Sequence, residues 1–217
     1  MNIIEIDRIT FSYSEDDEPV FKGLSFSLNS GECMIIKGEN GAGKSTLCRI
    51  LNGLSFPDSG SYRFNGIAID KKYLKNTRNL KLFHKNMGFL FQNPDVMLFN
   101  SSVYNEIAFG PRQMGFDDIQ IDRRVSDCMK MFDIENLADK APYHLSSGQK
   151  KRVAFASIVS LNPEILVLDE PLSGLDSKNR SLIISFLKGW KVSGKSLVIA
   201  THDRELEKTL GDKILEL

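Results

Sequence analysis

Cys33-Met34-Ile35-Ile36-Lys37-Gly38-Glu39-Asn40-Gly41-Ala42-Gly43-Lys44-Ser45-Thr46 is the stretch from which the rest of the chain can be read. Its first five residues form a short apolar run with the length of a buried strand. From Lys44 onward Leu47, Ile50, Leu51 and Leu54 recur at helical spacing. Between strand and helix lies G-x-x-x-x-G-K-[ST], in the context its chemistry needs. The glycines let the backbone curl so that successive N–H groups point inward, and the helix start adds its partial positive charge. Residues Gly38, Glu39, Asn40, Gly41, Ala42, Gly43, Lys44, Ser45 and Thr46 thus read as a cradle for the phosphates of a nucleoside triphosphate. Lys44 is placed to reach the β- and γ-phosphates, and the Ser45 hydroxyl to take a Mg²⁺ coordination position.

The second half of such a site stands far along the chain. Ile165-Leu166-Val167-Leu168 is an apolar run that reads as a buried strand, and Asp169-Glu170 emerges at its C-terminal end. Ligands of open α/β sheets sit at strand ends of this kind. Asp169 is expected to hold Mg²⁺ through water, and Glu170 to polarise the attacking water as general base. Two surface ion pairs would leave unexplained why two carboxylates stand together at that strand end.

The chain has 217 residues, with 28 Lys+Arg against 28 Asp+Glu. That length allows one domain, or one core with an inserted lobe. A composition of 41% hydrophobic and 26% charged residues argues against disorder. Zero net charge gives no long-range pull toward nucleic acid or acidic membranes. Lys71, Lys72, Lys75, Arg78, Lys81 and Lys85 form a local basic run, but aromatic residues are thin among them. The run reads as the solvated face of a surface helix, and no nucleic-acid partner is expected. Cys33, Cys48 and Cys128 are odd in number and share no metal-ligand spacing, which suits a reducing compartment. Neither a membrane span nor a signal peptide is evident, so the chain reads as soluble and cytoplasmic.

The N-terminal third is β-rich: Ile4–Asp7 and Leu24–Leu28 alternate apolar with polar, and the acidic stretch 14–19 between them reads as a hairpin loop. In the middle, Ile121, Val125, Cys128, Met129 and Phe132 mark an amphipathic helix, and Ser147 to Leu161 reads as another. The last third alternates strand and helix, which implies a parallel sheet covered on both faces. The expected organisation is therefore an α/β core over residues 1–87 and 161–217 carrying a helical lobe over 88–160.

Leu145-Ser146-Ser147-Gly148-Gln149-Lys150-Lys151-Arg152 resembles the LSGGQ signature of ATP-binding cassette (ABC) ATPases. Other marks stand in the family's order. Gln92 follows the strand Met87–Phe91 like a Q-loop. Ser173-Gly174-Leu175-Asp176 resembles the D-loop, Thr201-His202-Asp203 resembles the H-loop, and Tyr13 stands where the family places an adenine-stacking aromatic. The resemblance covers essentially the whole chain. It implies a P-loop NTPase core with a RecA-like parallel sheet, an N-terminal antiparallel β subdomain and an inserted α-helical subdomain. ATP and Mg²⁺ are the implied ligands. His202 would contact the γ-phosphate and orient Glu170, Gln92 would sense Mg²⁺ and the attacking water, and Asp176 would couple subunits.

The signature also has a physical reading. Ser146-x-x-Gln149 is a capping-box pattern, and a helix N-terminus with a free hydroxyl and a glycine is an anion site. Within one chain that site has no phosphate, because the Gly-Lys-Ser loop holds its own. The family's solution is a head-to-tail dimer in which Ser146, Ser147, Gly148 and Gln149 close on the other subunit's ATP.

A narrower resemblance lies in 91–99, in 103–111 and in Leu51-Asn52-Gly53-Leu54, which look like the ATPase subunits of energy-coupling factor transporters. Those import vitamins or transition metals such as cobalt and nickel, and dock transmembrane subunits on the Q-loop lobe. The apolar cluster Val96, Met97, Leu98 and Phe99 suits such a groove. Ser147 replaces the signature's first glycine, and Met97 stands where this group often has Gln. The chain runs 15 residues past His202, so the C-terminal extension used by many of these importers for dimerisation is expected to be missing. The resemblance implies the ATP-hydrolysing subunit of a membrane importer, peripheral at the cytoplasmic face, paired as homodimer or heterodimer. An exporter ATPase and a soluble, non-transport ABC ATPase are the alternatives.

Overall fold

The computed structural model describes residues 1–14 and 16–217; Glu15, in the expected acidic loop, lies outside the described residues. Two sheets organise the chain. The first is antiparallel, built from β1 (Asn2–Phe11), β2 (Phe21–Asn29), β4 (Ser59–Phe64) and β5 (Ile67–Ala68) in the order β2-β1-β4-β5. β1 and β2 extend the two expected strands at both ends. Their register shifts between Ile6 and Ile9, where Arg8 takes φ 47°, the mark of a bulge. β4 and β5 are joined by Asn65-Gly66, both at positive φ, the two-residue turn that this dipeptide favours.

The second sheet is parallel, in the order β6-β7-β8-β3-β9, from β3 (Cys33–Lys37), β6 (Met87–Leu90), β7 (Ile165–Asp169), β8 (Ser196–Ala200) and β9 (Lys213–Glu216). Its central strands β3, β7 and β8 are runs of apolar residues broken only at their ends, by Lys37, Asp169 and Ser196, because both faces are covered. Met34, Ile36, Ile165, Val167, Val198 and Ala200 face a core shared with the antiparallel sheet and α1 (Lys44–Leu51). The alternate residues Cys33, Ile35, Leu166, Leu168, Leu197 and Ile199 face a second core. That core is closed by the helices α4 (Val103–Gln113), α5 (Asp118–Met131), α6 (Ser147–Val159) and α7 (Ser177–Val192).

Met87–Leu90 pairs in register with Ile165–Leu168. Residues 88–90 therefore belong to the core sheet, and the helical lobe starts beyond Leu90 rather than at 88. The basic run lies on two short helices, α2 (Lys71–Leu74) and α3 (Thr77–Asn86), whose lysines are mostly exposed, as a solvated face requires. The chain closes through α8 (Arg204–Leu210) into β9, which the alternation of the last third did not single out.

Candidate nucleotide site and signature surface

The Gly-Lys-Ser loop runs from the end of β3 into α1, so the topology puts it at the C-terminal edge of the parallel sheet. Two glycines are dictated by their surroundings. At Gly43 (φ 97°) a Cβ would lie 2.6 Å from Val20 and 2.9 Å from Phe21. At Gly38 (φ 153°) it would lie 2.9 Å from the Leu217 carbonyl oxygen. Lys44 Nζ donates to the carbonyls of Gly38 at 2.8 Å and Glu39 at 3.0 Å, so its ammonium lies over the loop.

The same edge carries the acids. Asp169 ends β7 and is buried; burial above all pushes its carboxyl pKa up, while the Ser45 hydroxyl acts against that. Glu170 follows in the left-handed region, φ 45°, which a non-glycine residue adopts only where its surroundings hold it. They do so here. Its N–H donates to the Ala200 carbonyl at 2.9 Å, Thr201 Oγ1 donates to Oε2 at 3.2 Å, and His202 Nδ1 stands 3.0 Å from Oε1. Thr201 and His202 thus hold the carboxylate just past the end of β7. His202 is 83% exposed on its side chain, so one ring nitrogen grips the carboxylate while the ring faces outward.

Tyr13, Lys44, Ser45, Gln92, Asp169 and Glu170 meet around one cavity of about 380 Å³. Tyr13 is 59% exposed; its hydroxyl pairs with that of Thr46 at 2.7 Å and its ring meets Phe11 edge-on. Among the described residues no three His, Cys, Asp or Glu side chains cluster as a self-sufficient metal cage. A hydroxyl beside a buried carboxylate nonetheless fits Mg²⁺, which keeps waters and shares its coordination with substrate phosphates.

Ser146, Ser147, Gly148, Gln149 and Asp176 do not line that cavity. Ser146 caps α6 in a complete capping box: Gln149 N–H donates to Ser146 Oγ at 3.3 Å, and Ser146 N–H donates to Gln149 Oε1 at 2.9 Å. Ser147 is exposed. Gly148 is buried against α7, where a Cβ would approach Asn179 Nδ2 to 2.7 Å. Asn179 is itself bound to Asp176, the N-cap of α7. Signature and D-loop are therefore one surface. The backbone N–H of Asn179 is the first cause that holds the Asp176 carboxyl below its ordinary pKa.

Some side chains that organise the surroundings of these residues carry no motif. Glu106, buried in α4, accepts the N–H groups of Phe99 at 2.9 Å and Asn100 at 2.8 Å, and so fixes the end of the apolar segment 96–99. Lys151, inside the charged triplet after the signature, is only 2% exposed. A run of three cations reads as surface, and only the packing of α6 shows otherwise.

The profile of the ABC transporter family matches residues 21–173. The chain belongs to this family. Among curated ABC proteins it is 43% identical over 210 residues to the nickel import ATP-binding protein LarO of Lactiplantibacillus plantarum, covering 97% of this chain and 87% of that one. It is 41% identical over 216 residues to the energy-coupling factor transporter ATP-binding protein EcfA of Methanococcus maripaludis, covering 99% and 75%. Among solved ABC structures, cbiO1 of Clostridium perfringens, part of the transporter complex cbiONQ, superposes with a TM-score of 0.84 at 35% identity, covering 99% and 84%. A dimeric ATP-binding cassette in a post-hydrolysis state with ADP and Pi superposes at 0.88 with 27% identity, covering 99% and 94%. The ABC ATPase fold is thus established, with its parallel sheet, antiparallel sheet and helical lobe.

Proposed function

We propose that this ABC ATPase energises import through an energy-coupling-factor-type transporter, with ATP closing two cassettes head to tail and hydrolysis reopening them. The observation that supports this reading best is the single cavity that joins the Gly-Lys-Ser loop to a held carboxylate. Lys44 and the loop N–H groups of 38–46 bind the triphosphate, and Tyr13 offers an exposed ring to the adenine. Glu170, fixed by Thr201 and His202, takes a proton from the attacking water, and Gln92 orients that water. His202 reaches the γ-phosphate with the ring nitrogen that Glu170 does not occupy. Ser45 and Asp169 would hold Mg²⁺, which neutralises phosphate charge when bound.

The signature residues lie outside the cavity that holds Lys44, Asp169 and Glu170, at the capped N-terminus of α6, a helix end suited to an anion, so cavity and signature each need a counterpart. A two-fold pairing meets both needs at once. Val96 and Phe99 are 65% and 67% exposed, and Phe99 packs edge-on to Phe109, which is also exposed. This cluster, held by Glu106, is the surface for a helix of a transmembrane subunit. No helix of the described residues is long and apolar enough to cross a membrane, so attachment at the cytoplasmic face runs through that subunit. Vitamins and transition-metal ions are the cargo class.

A mild-detergent pulldown tests the assignment. Membrane-spanning subunits of an importer are expected to co-purify with the wild-type chain and to be lost on Phe99→Asp. Recovery of exporter subunits, or none, would overturn it.

A further inference from the structure

Lys151 stands in the second turn of α6, two residues past the signature, and is buried to 2% exposure. A buried ammonium is costly unless its protons are used. Its Nζ donates to the carbonyl of Gln92 at 3.0 Å and to the carbonyl of Glu170 at 3.3 Å. These are the residues two past β6 and one past β7, which carry the water-orienting amide and the base. The carboxylates of Asp169 and Glu170 offset part of the burial penalty on this ammonium. The neighbouring Lys150 reaches the same loop from outside, through Asp95 at 2.7 Å. The signature helix is therefore tied to the Q-loop at both ends of 92–95 and to the strained Glu170 backbone.

We propose that Lys151 is a positioning residue: it locks α6, whose N-terminus meets the partner's ATP, to the Gln92 and Glu170 carbonyls of its own site. Closure of the signature on the partner's phosphate then sets the amide and carboxylate of the cis site in the same movement. One lysine links the trans contact to the cis chemistry. The inference rests on the functional reading above and names the residue that transmits within it.

The test uses the full chain, with mant-ATP binding and steady-state ATPase assays on Lys151→Met, Lys151→Gln and Lys151→Arg. In Lys151→Met, kcat should fall about 100-fold, the order that a misplacement near 1 Å costs. The mant-ATP dissociation constant and the number of sites per chain should stay within twofold of wild type, because Lys151 touches neither the 38–46 loop nor Tyr13. Lys151→Arg, which keeps a buried cation with donors, should recover at least a tenth of the wild-type rate. Should Lys151→Met not fold, Lys151→Gln, with one amide donor pair, is judged by the same two quantities. A kcat within twofold of wild type overturns the proposal. So does a rate that falls only in step with the number of binding sites, which is what loss of fold alone would give. Wild-type chain that binds ATP but never hydrolyses it would defeat the functional reading itself, a result distinct from a competent wild type indifferent to position 151.

Discussion

At the scale of single residues, the two halves of the proposed catalytic apparatus should fail in different ways. Removing the Lys44 ammonium takes away charge-assisted hydrogen bonds worth about 1.5–3 kcal/mol, so Lys44→Ala should weaken ATP binding roughly 10- to 150-fold by calorimetry. Glu170→Gln keeps size and most hydrogen bonding but removes the proton acceptor. It should bind ATP as the wild type does while turnover falls about 10²- to 10⁴-fold in a phosphate-release assay. Equal turnover would remove Glu170 from its role as base. These residues were legible in sequence because phosphate and water chemistry dictates their type and spacing. The contacts of Lys151 and Glu106 were not, nor was the bond that Thr201, although quoted in the H-loop, makes to Glu170. Lys151 and Thr201 act through burial beside distant elements, and Glu106 through a buried carboxylate that takes the N–H groups of Phe99 and Asn100 just before its helix; local sequence marks none of these contacts.

Elements carry their own tests. The turn between β2 and β3 is closed by Glu32, which accepts the N–H and the side-chain amide of Asn29 and pairs with Lys213 on β9 at 2.9 Å. The Asn29 amide first, then Lys213, pulls the Glu32 carboxyl from its ordinary 4.5 down to about 2. A carboxyl lowered in the folded state stabilises above its unfolded value, and that contribution fades as pH falls from about 4.5 to about 2. Glu32→Gln should therefore show a lower urea midpoint than the wild type at pH 7, and the gap should shrink steadily as pH falls from about 4.5 toward about 2. A gap independent of pH would mean that ionisation is not the source. For α6, Ser146→Ala breaks the capping box and should cost about 1 kcal/mol in denaturant unfolding. It should also weaken nucleotide-driven association, because in the proposed pairing this hydroxyl binds the partner's ATP; full association would restrict Ser146 to capping. The box was readable as S-x-x-Q, whereas β9 and the true start of the lobe were not, because pairing partners far along the chain decide them.

For the whole molecule, the two-sheet architecture follows from alternation within apolar runs, and the lobe's place follows from α6 packing on the same face of the sheet as α7. In the proposed scheme a single chain does not supply a complete site: the cavity is lined by Lys44, Asp169 and Glu170 and by none of the signature residues. The most direct measurement is ATP turnover per chain across a dilution series, with mass followed by light scattering on the same samples. Turnover per chain should collapse as the assembly dilutes to the 24.4 kDa monomer, and should return when a second cassette is restored. Undiminished turnover by molecules that scatter as monomers would contradict the shared site.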